Sequence, residues 1–294
     1  MFAHQVIEAL EKFKKTTQYE EVINVSNEFI KQINKSQKFH LGDYDDLFTV
    51  YEKMIGKALF NGDNTVKMPF KTMWIDWTHK NHIPKPGESP TTKESVIAEN
   101  LTDNIILYSC FSYSPDLQTW VPFYAYFMTQ IGEKLDKKEE SIWKSFTSEK
   151  PYKGFTVVRG ISNYKGKLMQ IAKECSYNIT MLNLTLKLLN CKNIQTETIK
   201  APEALNKKRR RNGKQEIFDY HVLNVVVPGK KRGYSPETEP LSHNRVHLCR
   251  GHFKEYTSEH PLFGHLTGLY WWQPHVRGQN KSGIVVKDYN VKTA

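Results

Sequence analysis

The sequence predicts an α+β fold: a helical N-terminal region, then a mostly antiparallel sheet with one long packing helix. Three features carry that expectation. Apolar residues recur at helical spacing through residues 1–59. Aromatic runs separated by turn signals follow from residue 70 onward, and residues 165–189 hold one long helical stripe.

In chain order, Val6, Leu10 and Phe13 share one face of a first helix. Val22, Phe29, Ile30 and Ile33 share one face of a second, which runs to about residue 34. Gly42-Asp43 breaks the pattern, and Leu47, Tyr51, Met54, Ile55 and Ala58 mark a third helix over 45–59. Residues 70–77 are aromatic and partly alternating, as a strand requires. Residues 83–92 read as a loop by their proline and glycine content. The runs 104–113 and 118–128 flank Ser114-Pro115-Asp116 and read as a hairpin. Residues 133–150 are charged, and read as a surface helix, a loop or a linker between halves.

In the second half, 152–158 reads as a strand. Leu168, Ile171, Ala172, Cys175, Ile179, Leu182 and Leu186 form the inward stripe of the long helix. A turn and strand follow over 190–201, then a basic segment over 202–213 with Asn206 and Asn212-Gly213 at a turn, then a strand at 220–227. Residues 228–240 form a basic loop, and further strands are expected at 244–250, 268–273 and 283–291. The chain is expected to divide into residues 1–150 and 151–294, the second part carrying a His/Arg/Trp motif.

Composition bounds the function. A chain of 294 residues with 39% hydrophobic and 12% aromatic residues can bury a sizeable core. The net charge of +11 favours acidic partners, either nucleic acid or an acidic protein face. No stretch approaches the length of a membrane span, and residues 1–8 lack the pattern of a signal peptide, so a cytoplasmic protein without membrane contact is expected. Cys110, Cys175, Cys191 and Cys249 are widely spaced, with no CxxC, and read as reduced and mostly buried thiols. Neither a cofactor motif nor a metal-ligand spacing stands out; His243-x3-His247-x-Cys249-x2-His252 matches no common zinc site. Phosphate-cradling loops, Ser-His-Asp sets and kinase signatures are likewise absent from the sequence.

The densest chemistry lies in residues 243–278, which hold six of the eleven histidines, two Arg-Gly steps and Trp271-Trp272. His252, His275, Arg250 and Arg277 are the candidate catalytic set. One imidazole would accept a proton, the other would donate one, and the arginines would hold an oxyanion, a set suited to RNA cleavage through its own 2′-hydroxyl. The competing reading gives these groups a role in fixing a loop-rich fold. The candidate binding residues are Lys207, Lys208, Arg209, Arg210 and Arg211, with Lys230, Lys231 and Arg232. Residues 201–232 carry nine Lys/Arg against three Asp/Glu, and adjacent cations repel one another until a partner or solvent neutralises them. Trp272 is a candidate contact residue with Arg250 and Arg277, since aromatics and arginine dominate interface energetics. Of two adjacent tryptophans on a strand, one must face the core.

Residues 165–292 also resemble a widespread family of uncharacterised phage and mobile-element proteins. The resemblance rests on Leu188 to Ile194, Ala201 to Lys214, Tyr220-His221-Val222-Leu223, Arg250-Gly251-His252-Phe253-Lys254, Pro261-Leu262-Phe263-Gly264, Tyr270-Trp271-Trp272, Pro274-His275-Val276-Arg277-Gly278 and Val286-Lys287-Asp288-Tyr289. In length and character the chain is similar to phage proteins that block bacterial anti-phage systems such as Gabija. The resemblance implies an accessory protein that binds a host target, a defence complex being one such target, and it implies no catalytic residues. The alternatives are a metal-independent nuclease or phosphoryl-transfer enzyme and a general nucleic-acid-binding protein. The oligomeric state stays open.

Overall fold

The computed structural model describes residues 1–43, 67–80, 91–131, 135–146, 155–160, 175–226, 228, 247–249, 252–272 and 275–277; for 155–160, 247–249 and 275–277 the description is of the backbone. The helix expected at 45–59, the first part of the long helix with Leu168, Ile171 and Ala172, the basic loop at 228–240 apart from Pro228, and the strand at 283–291 lie outside these residues. The chain divides into two compact units, Met1–Asn190 with Gln195–Asn224, and Cys191–Ile194 with Val225–Ala294. The division expected at residue 150 falls within the first.

The first unit opens with α1 (Ala3–Thr16) and α2 (Glu20–Lys35). Glu20 and Glu21 in the first turn of α2 and Lys35 in its last match the helix dipole. The strands are β1 (Gln37–Asp43), β2 (Thr72–Lys80), β3 (Thr91–Asn100), β4 (Ile105–Ser114), β5 (Thr119–Pro122), β6 (Ala125–Gln130) and β7 (Phe155–Gly160). Helix α3 (Lys137–Phe146) lies between β6 and β7. It starts on a capping box in which Asp136 Oδ1 accepts from the Glu139 backbone N–H at 2.8 Å and Glu139 Oε2 accepts from the Asp136 N–H at 3.0 Å. Helix α4 (Ser176–Leu189), β8 (Ile194–Ile199), α5 (Glu203–Arg211) and β9 (Tyr220–Val225) complete the order.

The sheet runs β7-β6-β4-β3-β2-β1-β9-β8, with β5 paired to β4. The α+β class holds, and most pairs are antiparallel. The exception is β1, which is parallel to both β2 and β9, so the sheet is mixed. Neither β1 nor β3 was expected as a strand. β1 follows α2 directly and carries Gly42-Asp43 at its end, while β3 begins polar (Thr91-Thr92-Lys93-Glu94) and turns apolar only at Val96.

Alternation then sorts the sheet into two faces. On one, Trp74, Ile97, Phe111 and Trp120 pack against Ala3, Val6, Ile7, Leu10, Val25, Phe29 and Ile33 of α1 and α2. Fully burying a side chain the size of Phe29 or Trp74 contributes about 2–3 kcal/mol. The other face carries Met73, Ile75, Trp77, Val96 and Cys110, all buried. Helix α4 is buried on most of its surface, Thr185 and Lys187 included. Its stripe residues Ile179, Leu182 and Leu186 are inside as expected. Among the described residues no helix is long and apolar enough to cross a membrane.

The second unit is built on an antiparallel ribbon. β11 (His252–Tyr256) pairs with β12 (Gly268–Trp272), and β10 (His247–Cys249) with β13 (His275–Arg277). Asn193 clamps it: its amide donates to the Trp271 carbonyl at 2.7 Å and accepts the Trp271 N–H at 2.9 Å. The Pro261-Leu262-Phe263-Gly264 motif is a tight turn closed by Leu262 and Leu266, with Phe263 and Gly264 at positive φ.

Candidate functional site

The ribbon holds much of the residue set singled out in the sequence. The pairing sets His252 opposite Trp272, His275 opposite Cys249, and Arg277 opposite His247. His252 and His275 therefore occupy different paired positions, in separate two-stranded segments. Arg250 lies outside the described residues, as do Lys230, Lys231 and Arg232. Trp271 is 4% exposed, and its ring meets Phe253 at 4.8 Å between centroids. It is the core member of the tryptophan pair. Trp272 is half-buried, with its indole N–H inside and without a hydrogen-bond partner among the described residues. Tyr270 is buried on the opposite side of the strand from Trp271 and meets Tyr256 edge to face. The ribbon thus buries aromatics on both faces, and much of the motif serves packing.

The basic run is not a loop. Residues 207–211 form the last turns of α5. Ala, Leu, Lys and Arg are good helix formers, and cations at a helix C-terminus complement its dipole, so the run favours the helix it terminates. Asn206, expected at a turn, is buried inside the helix and exchanges two hydrogen bonds of 2.8 Å with the Ile217 backbone. The turn comes at Asn212-Gly213. Gly213 takes φ 63°, its N–H bonds to the Arg210 carbonyl at 3.0 Å, and the Lys214 N–H bonds to the Arg209 carbonyl at 2.9 Å. That pair of bonds is a Schellman cap.

The five cations then differ in employment. Arg209 is anchored to Glu8 of α1 at 2.7 Å and to the Gln215 carbonyl at 2.7 Å. Arg210 reaches Glu216 at 3.5 Å. Lys207, Lys208 and Arg211 are exposed with Lys214, and no side-chain bond ties them to another group among the described residues. Four cations thus line the end of one rigid helix.

A third constellation was not expected. Asp76 stands in the middle of β2, between Ile75 and Trp77, and is fully buried. Its Oδ1 lies 2.6 Å from His40 Nδ1. Its Oδ2 accepts the Phe2 backbone N–H at 2.6 Å and the Trp74 indole N–H at 2.8 Å. Asp76 therefore caps α1 and orients an imidazole at once. The His40 side chain is 22% exposed, with Phe2 at 5.9 Å and Tyr220 at 5.8 Å, both edge to face. Its Nε2 has no hydrogen-bond partner among the described residues. Thr78 and Lys93 pair two positions further along the same sheet face. Lys93 Nζ lies 4.7 Å from the Tyr113 ring centroid and 5.5 Å from that of Phe2. Nearby, burial pushes the His4 imidazole down to about 4, and Arg209 adds to the effect, so His4 is neutral near pH 7. The available sequence signal was an acidic residue inside the aromatic strand Trp74-Ile75-Asp76-Trp77.

The opposite sheet face holds a half-buried carboxyl, Glu94. Glu94 pairs with Trp77 on one side and Ser112 on the other. Ser112 donates its hydroxyl to Glu94, and Asn178 of α4 adds a hydrogen bond. Burial outweighs both and pushes Glu94 up to about 7. Beside it, Cys110 lies against Cys175, and burial pushes its thiol well above the usual range. Cys110, Cys175 and Cys191 are buried thiols outside any disulfide. Among the described residues no group of His, Cys, Asp and Glu is arranged to hold a metal ion.

No family model, curated protein or solved structure matches the chain.

Proposed function

We propose that the protein is an accessory factor of a phage or mobile element that works by binding, and that the C-terminal end of α5 is its contact with an acidic surface of a host target, a bacterial defence complex. One observation carries the reading: Lys207, Lys208, Arg211 and Lys214 stand exposed at the end of a capped helix, without acidic partners among the described residues. Two of the six cations in 207–214 already have acidic partners, Arg209 on Glu8 and Arg210 on Glu216, so the fold holds the helix rigid and leaves the rest for another molecule. A pre-ordered charged surface loses little side-chain and backbone freedom on binding and steers association.

The test is a tagged pull-down from bacterial lysate, with and without nuclease treatment. It compares the natural chain, the charge-reversed Lys207→Glu/Lys208→Glu/Arg211→Glu variant and a control reversal at the exposed Lys144. The expected result is a stoichiometric protein partner that survives nuclease, is lost on reversal in α5 and is kept in the control. Phage plating on a defence-bearing strain should follow the same pattern. Recovery of nucleic acid alone, removed by nuclease or by salt, overturns the protein target and favours phosphate binding by the same helix.

A further inference from the structure

We propose that His40 is a general base that cleaves single-stranded RNA, with Asp76 as its positioning residue and Lys93 as the cation that holds a phosphate of the same strand. This activity is independent of the binding role of α5 and uses a different surface of the first unit.

The argument begins with the tautomer. Asp76 is fully buried and accepts at both oxygens, with Oδ2 occupied by the Phe2 and Trp74 N–H groups and Oδ1 left to His40. A carboxylate held this way directs Nδ1–H of the imidazole toward itself, which leaves the lone pair of Nε2 facing away. Nε2 is unpartnered among the described residues, and the side chain is partly open to solvent. The group is thus an oriented base with an accessible acceptor atom.

The surroundings select the substrate. Lys93 and His40 flank the same Phe2 ring, at 5.5 and 5.9 Å. A polynucleotide laid across that ring would meet the ammonium and the imidazole at different points along the strand. Phe2, Tyr113 and Tyr220 supply aromatic surface around the two heads, as stacking of unpaired bases requires. The described residues around the dyad offer no second activated nucleophile. RNA carries its own, since the 2′-hydroxyl lies next to the scissile phosphate, so one oriented base and one cation suffice.

In the step, His40 Nε2 takes the 2′-hydroxyl proton and O2′ forms a bond to phosphorus. The P–O5′ bond breaks, and the 5′-oxygen leaves with a proton from water. Lys93 holds a phosphate of the same strand. The products are a 2′,3′-cyclic phosphate end and a 5′-hydroxyl end. The proton on His40 returns to solvent, so no oxidant or further reactant is needed.

The test uses the full chain and a 5′-fluorescein oligoribonucleotide, beside the same oligonucleotide with 2′-deoxy sugars. The expected result is cleavage of the ribonucleotide to a 2′,3′-cyclic phosphate, with the deoxy version intact. His40→Ala and His40→Gln should each lose on the order of 100-fold or more in rate, with unchanged fluorescence-anisotropy binding of the oligonucleotide and with circular dichroism showing each variant folded at the assay temperature. Added imidazole should restore His40→Ala, and Asp76→Asn should lower kcat at constant KM. Reversal at Lys207, Lys208 and Arg211 should abolish partner capture while leaving cleavage intact, so the two proposals fail separately. No cleavage by the natural chain, equal cleavage of the deoxy substrate, undiminished rates in both His40 variants, or a His40→Ala loss that imidazole does not restore would each overturn the assignment.

Discussion

Two histidine-bearing regions of the molecule differ in what organises them. The ribbon of the second unit is dense in histidine, arginine and tryptophan along the chain, yet its pairing places His252 and His275 opposite different partners in separate segments. The sheet of the first unit has one histidine in Phe39-His40-Leu41, and it meets a carboxylate from 36 residues away at 2.6 Å. Density along the chain measures composition, whereas acid–base chemistry needs two groups oriented by what surrounds them. The parallel pairing of β1 with β2 supplies that at His40, and the buried donors around Asp76 hold it in place.

The comparison breaks most visibly at Asp76. Asp76→Ala leaves the Phe2 N–H, the Trp74 indole N–H and His40 without their acceptor, and uncaps α1. Each buried orphaned donor costs roughly 1–3 kcal/mol. The expected loss is about 3–5 kcal/mol by urea denaturation. A loss under about 1 kcal/mol would mean the network has no structural weight and that the two regions do not differ in this respect.

The half-buried carboxyl of Glu94 sharpens the contrast by pH. The folded-state value of Glu94 is raised to about 7 from 4.5, so between those values the folded protein binds the proton and the unfolded chain does not. The contribution is fully present below about pH 4.5 and is lost as pH rises through 7, on the order of 3 kcal/mol in all. Glu94→Gln should flatten this decline in urea midpoints measured from pH 4.5 to 8. A slope unchanged in the variant would assign the decline to other groups.

The ribbon has its own weak point. Asn193→Ala removes two hydrogen bonds to the backbone of buried Trp271, and about 2 kcal/mol should be lost. Hydrogen exchange at the Trp271 amide is expected to accelerate, with α1 and α2 unaffected. Faster exchange across the first unit as well would mean that the two units unfold as one.

The smallest effect concerns α5. Gly213 holds φ 63° with open space where a Cβ would sit, so Gly213→Ala costs only the left-handed backbone conformation, about 1 kcal/mol. Circular dichroism should register fraying of the last turn, and the charge-dependent capture should weaken with it. Capture unaffected by fraying would mean that the cations act without helical order.

Much was legible before any tertiary contact. The stripes Val6/Leu10/Phe13 and Val22/Phe29/Ile33 have the helical period, and the hairpin around Ser114-Pro115-Asp116 has alternating aromatics and turn residues. The core role of one tryptophan in Trp271-Trp272 follows from strand alternation. β1 escaped because it follows α2 directly and ends on Gly42-Asp43, and β3 because it begins polar; their strand identity comes from neighbours. The run 207–211 read as a loop because Asn206 and Asn212-Gly213 flank it with turn residues. Helix propensity, the dipole and the cap at Gly213 outweigh that signal, and the contact of Arg209 with Glu8, two hundred residues away in the chain, is a tertiary one.

By itself the sequence determined the fold class, the two N-terminal helices and their apolar faces, the positive charge and the reduced cysteines, because periodicity and composition are local properties. Only the tertiary structure decided that Asp76 meets His40, that Glu94 is buried enough to hold its proton, and which cations of α5 stay exposed. Those depend on pairing register and on the burial that packing imposes, and both join residues far apart in the chain.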